Sequence, residues 1–233
     1  MATTRAEYFA RWSAVHGGYD PASSPLVGSW LTLVRWCARP LAAARVRPAA
    51  VTLVGVSLSG CAAALASGGP GRLYGAAVLV LASGLVDSLD GAVALLTGRA
   101  SALGYVLDSM ADRCSDLLYL LALWRVGAPA GVCVGAGGLM FMQEYLRARA
   151  SAAGMTGIGA VTVWERPTRV AVTVAAMLGA AVFAGGRLWS APADLRWAAA
   201  GAWAWLALGV VGLLQLTVAV GHRLAGRAPG PTG

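Results

Sequence analysis

The chain has 233 residues, of which 58% are hydrophobic and 12% charged, and its mean hydropathy is +0.67. Soluble domains have an apolar share of roughly 45–50%, so this composition excludes an ordinary soluble domain and favours an integral membrane protein. The net charge of +8 comes from arginines scattered between apolar segments, which excludes the basic face of a nucleic-acid-binding protein and fits loops at an anionic membrane surface.

The first predicted element is an amphipathic helix near the N-terminus. Residues 1–25 are polar and we expect them to be irregular, whereas SPLVGSWLTLVRWCARPLAAARVRP at 24–48 mixes Leu, Val and Trp with four arginines. That mixture is typical of a helix lying in the membrane interface. The alternative is a solvated helix packed on the protein. We assign 1–47 to a polar segment followed by this interfacial helix.

Six apolar runs follow, each long enough for the roughly 20 helical residues that cross a bilayer core of about 30 Å. They lie at 50–68, 73–96, 102–124, 128–150, 168–186 and 197–220. Turn residues such as SGGPGR and VGAPAG separate them. The predicted fold class is therefore an all-α integral membrane protein with six transmembrane helices. It occupies residues 48–222, and 223–233 are expected to form a disordered tail.

The distribution of arginine between the loops predicts the orientation in the membrane. Thirteen arginines lie in the N-terminal segment, in the loops after the second and fourth spans and in the tail, against four in the other loops. Because cytoplasmic loops carry the excess of positive charge, both termini and the even-numbered loops are predicted to face the cytoplasm. We expect the protein to lie in the bacterial cell membrane with its active site on the cytoplasmic side.

An acidic cluster interrupts the apolar pattern between the second and third spans. Asp87 and Asp90 are three residues apart near the end of the second span, and Asp108 and Asp112 are four apart in the third. Each pair therefore shares one helix face. The short turn TGRAS makes the two helices antiparallel neighbours, so the four carboxylates are predicted to converge near the cytoplasmic side.

Carboxylates inside a membrane need a compensating partner. One aspartate at the centre of a membrane helix costs about 2.5–3.5 kcal/mol, and four facing one another also repel. Mg²⁺ or Mn²⁺ takes oxygen ligands and often bridges to substrate phosphates, which predicts a two-metal site acting on a phosphoryl group. A carboxylate-lined metal or proton transporter is one alternative. Structural carboxylates paired with Arg99 or Arg113 are another.

Small residues lie among the aspartates. Gly91 directly follows Asp90, Ala94 lies one turn further, and Gly104 lies one turn before Asp108. Small residues let a ligand approach the backbone, although they also let membrane helices pack closely. Next to the aspartates, they favour a nucleotide or diphosphate bound against these helices.

These residues form one continuous motif. Its seven positions, at fixed spacing, are Asp87, Asp90, Gly91, Ala94, Gly104, Asp108 and Asp112. The motif resembles that of the CDP-alcohol phosphatidyltransferases, integral membrane enzymes with six transmembrane helices. RPAAVTLVG at 47–55 is similar to the start of that family's first span. The chain departs from the family at Leu95, where the family usually has Arg.

The resemblance implies a reaction and a set of roles. A phosphatidyl group would pass from CDP-diacylglycerol to an alcohol with release of CMP, and two divalent ions, Mg²⁺ or Mn²⁺, would act as cofactors. Asp87, Asp90 and Asp108 would bind the metals, and Asp112 would bind metal and act as the general base. Asp116, one turn further, would support these ligands. The residues implied in binding the CDP-lipid are Asp87, Gly91, Ala94, Gly104, Thr52 and Arg99. The resemblance also allows a homodimer.

Four arginines border the loop between the fourth and fifth spans and indicate the kind of acceptor alcohol. They are Arg147, Arg149, Arg166 and Arg169. Arginine suits phosphate recognition, so a phosphorylated acceptor is predicted; the alternative is that some of them only anchor the loop on the cytoplasmic side. YLRARA and ERPTR resemble the prokaryotic phosphatidylinositol-phosphate synthases, which favours inositol phosphate. Glycerol 3-phosphate, the acceptor of phosphatidylglycerophosphate synthases, is the alternative.

Overall fold

The computed structural model of the protein describes residues 4–15, 18–155, 161–184, 187–188 and 191–225. Within these ranges there are eight α-helices: α1 Arg5–Val15, α2 Pro25–Ala43, α3 Pro48–Leu65, α4 Pro70–Thr97, α5 Ala102–Val126, α6 Ala130–Ala152, α7 Arg166–Val182 and α8 Ala193–Leu224. A 3-10 turn at Pro21–Ser23 precedes α2. Two antiparallel strands of two residues each, β1 Arg187–Leu188 and β2 Ala191–Pro192, lie before α8.

Each of the six apolar runs forms a helix, α3 to α8, with boundaries set by local turn chemistry. Pro48 and Pro70 begin α3 and α4, where a missing backbone N–H is tolerated. Gly98 ends α4 with a φ of 66°, a left-handed conformation that glycine adopts without strain. The N–H of Arg99 then bonds to the carbonyl of Ala94 at 2.9 Å, which closes the helix end and sets up the short turn to α5.

In the part of the chain that the structure describes, all regular elements apart from the two short strands are helical, and some of these helices are suited to a membrane. Among the described residues, α3, α4 and α8 are long and apolar enough to cross a bilayer. The helix α7 has 17 residues, α5 carries three aspartates and two arginines, and α6 carries one glutamate and two arginines, so length and composition alone do not identify these three as spans. The count of six spans therefore stays a prediction.

The N-terminal segment contains a helix, α1, where the sequence was expected to be irregular, and that expectation was wrong. Thr4 and Glu7 form a reciprocal cap: the N–H of Thr4 donates to Glu7 Oε2 at 2.8 Å, and the N–H of Glu7 donates to Thr4 Oγ1 at 3.2 Å. Such a capping box stabilises a helix start. Tyr8 is buried, and this burial raises the pKa of its hydroxyl to about 12, against the opposing charge of Arg35. Packing of Tyr8 thus anchors α1.

The chain divides into two compact units. Unit 1 comprises Met1–Ser59 and Ala82–Ser115. It holds α1, α2, most of α3, the second half of α4 and the first half of α5. Its buried apolar core is formed by Tyr8, Leu31, Val34, Ala38, Val51, Leu89, Ala92 and Val93. This core fixes the end of α4, which carries the first half of the motif.

Unit 2 comprises Gly60–Leu81 and Asp116–Gly233. Its core contains many alanines, which let helices approach closely. A Cβ on Gly201 of α8 would lie 2.5 Å from the Cβ of Ala176 of α7. Trp164 and Trp205 meet edge to face, with ring centroids 5.0 Å apart. The helix α8 runs to Leu224, and residues 226–233 of the predicted tail lie outside the described residues.

Candidate functional site

Three of the four predicted metal ligands come together in unit 1. Asp87 and Asp90 lie on α4 and Asp108 lies on α5, and each offers a carboxylate oxygen within 4.8 Å of the other two. Asp90 is buried, and Asp87 and Asp108 are half-buried. The turn at 98–101 places the two helices side by side, as the sequence predicts. The result is a small, partly desolvated group of oxygen donors.

This donor group fits a hard divalent cation. Oxygens that share one Mg²⁺ at about 2.1 Å lie roughly 3–4 Å apart in octahedral geometry, and the three carboxylates can offer oxygens within 4.8 Å of one another. All three ligands are carboxylates, which Mg²⁺ and Mn²⁺ prefer. The group Asp87, Asp90 and Asp108 is therefore competent to hold at least one such ion.

Thr52 contacts this group directly. Its hydroxyl, on α3, donates a hydrogen bond of 2.6 Å to Oδ2 of Asp90. A bond this short to a carboxylate is a strong, charge-assisted one. The hydrogen bond holds the Asp90 side chain in one orientation. The sequence predicts that Thr52 binds the CDP-lipid, and the structure places it beside a metal ligand.

Asp112 lies one turn beyond Asp108 on α5 but outside the group of three. One of its oxygens lies 3.7 Å from the guanidinium of the adjacent Arg113. Both side chains are largely buried, with 22% and 13% of their surface exposed. Asp112 therefore has a positive neighbour within its own helix.

The small motif residues leave space at the helix surface. A Cβ on Gly91 would meet no atom within 4 Å, and Gly91 is exposed. The free space at Gly91 agrees with the expected approach of a ligand better than with close packing of another helix at this position. Gly104 is exposed too, but its N–H donates to the Ser101 hydroxyl at 3.0 Å, so it also helps to cap the start of α5. Ala94 is half-buried on α4.

An arginine contacts the backbone at Leu95, where the motif departs from the one that it resembles. Leu95 packs against the core of unit 1. Its backbone carbonyl accepts a hydrogen bond of 3.2 Å from the guanidinium of Arg11 on α1. Arg99, which the sequence predicts to bind the CDP-lipid, donates instead to the carbonyl of Arg45 at 3.3 Å. Arg45 has a φ of 55°, so this contact stabilises a backbone conformation that non-glycine residues rarely adopt.

In unit 2, Arg169 forms a buried ion pair. Its guanidinium lies 2.7 Å from Oδ2 of Asp116, donates to the carbonyl of Trp164 at 3.1 Å and lies 3.9 Å from Glu144. The side chains of Arg169 and Asp116 are 1% and 0% exposed. Both charges are therefore compensated inside the protein. Asp116, expected to support the metal ligands, pairs with this arginine.

The other three arginines near the loop are more accessible. Arg147 and Arg166 are half-buried and Arg149 is exposed. The guanidinium of Arg147 donates to Oε1 of Glu165, which also accepts from the N–H of Thr162. Arg147 and Arg149 lie near the end of α6, and Arg166 begins α7. Arg147 thus lies in a network of defined geometry.

Sequence reasoning missed the partners of these charged groups. The pairs Asp116–Arg169 and Arg147–Glu165 join residues 53 and 18 positions apart, a separation that no local pattern reveals. Arg11 lies 84 positions from Leu95. The start of α1, in contrast, could have been predicted from the sequence, because Thr4 and Glu7 have the spacing of a capping box.

Comparisons with known proteins agree with the motif. The family profile described as CDP-alcohol phosphatidyltransferase matches residues 29–211. Archaetidylinositol phosphate synthase of Methanothermobacter thermautotrophicus is 38% identical over 130 residues, covering 55% of this chain and 64% of that protein. Phosphatidylinositol phosphate synthase of Mycobacterium marinum is 35% identical over 145 residues, covering 59% of this chain and 61% of that protein. The chain thus spans about three fifths of the length of these two relatives.

Solved structures share the fold. The crystal structure of Mycobacterium tuberculosis phosphatidylinositol phosphate synthase with CDP-DAG bound superposes with a TM-score of 0.68 at 23% identity, covering 86% of this chain and 100% of that chain. The structure of the same enzyme in complex with manganese and citrate gives a TM-score of 0.63 at 24% identity, covering 80% of this chain and 88% of that chain. At these identities the likeness establishes the arrangement of helices.

Proposed function

Because this chain belongs to the CDP-alcohol phosphatidyltransferase family, we propose that it transfers a phosphatidyl group from CDP-diacylglycerol to an alcohol and releases CMP. The observation that carries the proposal is the convergence of Asp87, Asp90 and Asp108 at their motif positions. The enzyme family also argues against the alternative of a carboxylate-lined transporter. A relative solved with CDP-DAG bound supports the choice of donor.

Two divalent ions, Mg²⁺ or Mn²⁺, are proposed as cofactors, held by Asp87, Asp90 and Asp108 together with Asp112. When bound, such ions stabilise the negative charge that develops on the phosphoryl group and on the leaving CMP. Thr52 orients Asp90 for this task. Asp112 accepts the proton of the acceptor hydroxyl as the general base.

The CDP-lipid is proposed to lie along α4 and the start of α5. The open surface at Gly91 lets a diphosphate approach the helix backbone, and the small side chain of Ala94 and the absent one of Gly104 extend that surface. Arg99 is the proposed cation on this side. It can offer its remaining N–H groups to the lipid while one stays on the carbonyl of Arg45.

The proposed acceptor is a phosphorylated polyol, with inositol phosphate favoured. Two relatives bear the names archaetidylinositol phosphate synthase and phosphatidylinositol phosphate synthase, which supports this choice over glycerol 3-phosphate. Arg147, Arg149 and Arg166 are proposed to bind the acceptor's phosphate. For Arg169 the buried ion pair favours a role in holding α5 and α7 together, although the sequence places it in the same set.

The experiment is an acceptor screen with the purified full-length protein in detergent. CDP-diacylglycerol and Mn²⁺ or Mg²⁺ are supplied with inositol phosphate, glycerol 3-phosphate, serine or free inositol, and released CMP is measured. We expect release with inositol phosphate and none when the metal is chelated. Release with glycerol 3-phosphate alone would select the alternative acceptor. A protein that neither binds CDP-diacylglycerol nor releases CMP would refute the transferase.

In the membrane, we propose six spans, α3 to α8, with both termini and the active site cytoplasmic. Beyond the three helices that qualify by composition, large apolar side chains are exposed on the other three, including Trp124 on α5, Val134 on α6 and Val182 on α7. Lipid contact explains such exposure better than water. Single-cysteine labelling from each side of sealed vesicles would test the orientation.

The helix α2 is the proposed interfacial helix. Leu26, Trp30, Leu33 and Trp36 form an exposed apolar stripe along one side of it, while Leu31, Val34 and Ala38 on the other side are buried. A helix that packs one face on the protein and presents tryptophan and leucine on the other is suited to the headgroup region. A homodimer is a further prediction, which light scattering in detergent would check.

A further inference from the structure

Hydrogen-bond donors suited to an anion converge just before α7, and the carboxylate of Glu165 accepts their hydrogen bonds. Oε1 of Glu165 accepts hydrogen bonds from the N–H of Thr162 at 2.8 Å, from the hydroxyl of Thr162 at 2.9 Å and from the guanidinium of Arg147. Three donors, one of them charged, converge on a single oxygen. An oxygen of a phosphate group has the same requirements as this carboxylate oxygen.

The neutral donors are held in place independently of Glu165. The side-chain amide of Gln143, fully buried on α6, donates to the Thr162 hydroxyl at 3.0 Å and so leaves the hydroxyl proton directed toward the anion. The N–H of Val163 donates to Oε1 of Gln215 on α8 at 2.9 Å. Side chains of two neighbouring helices therefore hold Thr162 and Val163, and the donor geometry would persist if the carboxylate moved away.

Glu165 itself is able to leave. It occupies the N-cap position of α7, yet its side chain makes no capping hydrogen bond to that helix. One third of its surface is exposed, so rotation of the side chain would return the carboxylate to water. Its interaction with Arg147 is that of a partly exposed ion pair, which contributes little to stability.

We propose that Glu165 is an internal competitor for the acceptor's phosphate, occupying the anion site at Arg147 and Thr162 until a phosphorylated acceptor displaces it. This inference rests on the proposed phosphorylated acceptor. A phosphate monoester carries a charge of about −1.5 to −2 at pH 7, more than a carboxylate, so it displaces Glu165. An unphosphorylated polyol lacks that charge and leaves Glu165 in place, which makes the residue a determinant of selectivity.

The test is Glu165→Gln in the full-length protein, because the amide keeps the size of the side chain and removes its charge. The KM for inositol phosphate and the inhibition constant of inorganic phosphate should each fall about fivefold, the effect of removing a partly exposed charge pair. The turnover number should change little. The decrease should be smaller in an Arg147→Gln background, since the two residues act on one site while the donors of Thr162 remain.

Glu144→Gln is the matched control. It makes the same change in net charge at a side chain of similar exposure, 32% against 33%, but its near neighbour is Arg169. Its KM for inositol phosphate should equal that of the wild type. An increase in KM in Glu165→Gln would mean that Glu165 orients Arg147 and would overturn the competition, as would equal effects of the two variants.

A structure of the wild-type protein with inositol phosphate tests the same point without a variant. The phosphate should replace Glu165 Oε1 on the N–H of Thr162. A phosphate bound elsewhere, with the Glu165–Arg147 contact intact, would refute the inference while leaving the transferase activity standing. If the wild type released no CMP with any phosphorylated acceptor, the proposed function itself would fail.

Discussion

Replacing Thr52 by Val tests whether its hydroxyl supports the metal site. The substitution keeps the shape of the side chain and removes the 2.6 Å hydrogen bond to Oδ2 of Asp90. A hydrogen bond to a charged group contributes about 1.5–3 kcal/mol. At 1.4 kcal/mol per factor of ten, that corresponds to a roughly 10- to 100-fold loss in affinity, the range found for residues that orient metal ligands.

The assay is a titration of CMP release with Mn²⁺, together with direct Mn²⁺ binding by electron paramagnetic resonance. The midpoint should move to higher metal concentration by about tenfold or more in Thr52→Val, and Thr52→Ser, which keeps the hydroxyl, should restore it. Thr97→Val is the control, because the hydroxyl of Thr97 donates to the backbone carbonyl of Val93 in its own helix.

An unchanged metal midpoint in Thr52→Val would refute this reasoning. If the KM for CDP-diacylglycerol then rose instead, Thr52 would contact the lipid, as the sequence alone predicts. A change in the metal titration therefore indicates that Thr52 supports the metal site, and a change in the lipid titration indicates that it contacts the CDP-lipid.

Three further predictions concern the motif and the buried ion pair. Asp112→Asn should lower turnover about 100-fold or more, since it removes the proposed general base, while binding of CDP-diacylglycerol measured by calorimetry stays within a few-fold; normal turnover would exclude the role. Gly91→Ala should raise the KM for CDP-diacylglycerol without lowering the melting temperature, because the added methyl meets no protein atom and alanine favours a helix by about 0.5–1 kcal/mol; an unchanged KM would place the lipid elsewhere. Asp116→Asn should reduce the free energy of unfolding by up to about 3–5 kcal/mol, because the buried charge of Arg169 loses its closest partner and keeps Glu144 at 3.9 Å. Replacing both Asp116 and Arg169 by Leu should restore part of the loss; equal melting temperatures for the single and double variants would contradict this.

The helices were predictable because their signals are local. Runs of apolar residues ended by Pro70, Gly98 and similar turn residues determine α3 to α8 within a few residues of the observed bounds. The convergence of Asp87, Asp90 and Asp108 followed from helix periodicity and one short turn. These features depend on neighbours within about ten residues, which a single sequence displays.

The pairing of distant charges was not predictable, because it depends on tertiary packing. Nothing near Arg169 in the sequence shows that it will be fully buried against Asp116, whereas the other loop arginines are more accessible. The same holds for the contact of Glu165 with Arg147. The sequence shows four arginines around this loop but gave no means to tell which of them forms a buried ion pair.

The hydrogen bond from Arg11 to the carbonyl of Leu95 has a consequence for how the protein is trimmed and tagged. The family profile begins at residue 29, yet unit 1 includes α1, whose Tyr8 belongs to its core. A shortened gene product starting at the profile boundary would lose both this core residue and the guanidinium that reaches the motif helix. The folded unit therefore starts before the region that matches the family profile. For the same reason, an affinity tag fused directly before α1 is a poorer choice than a tag placed after α8.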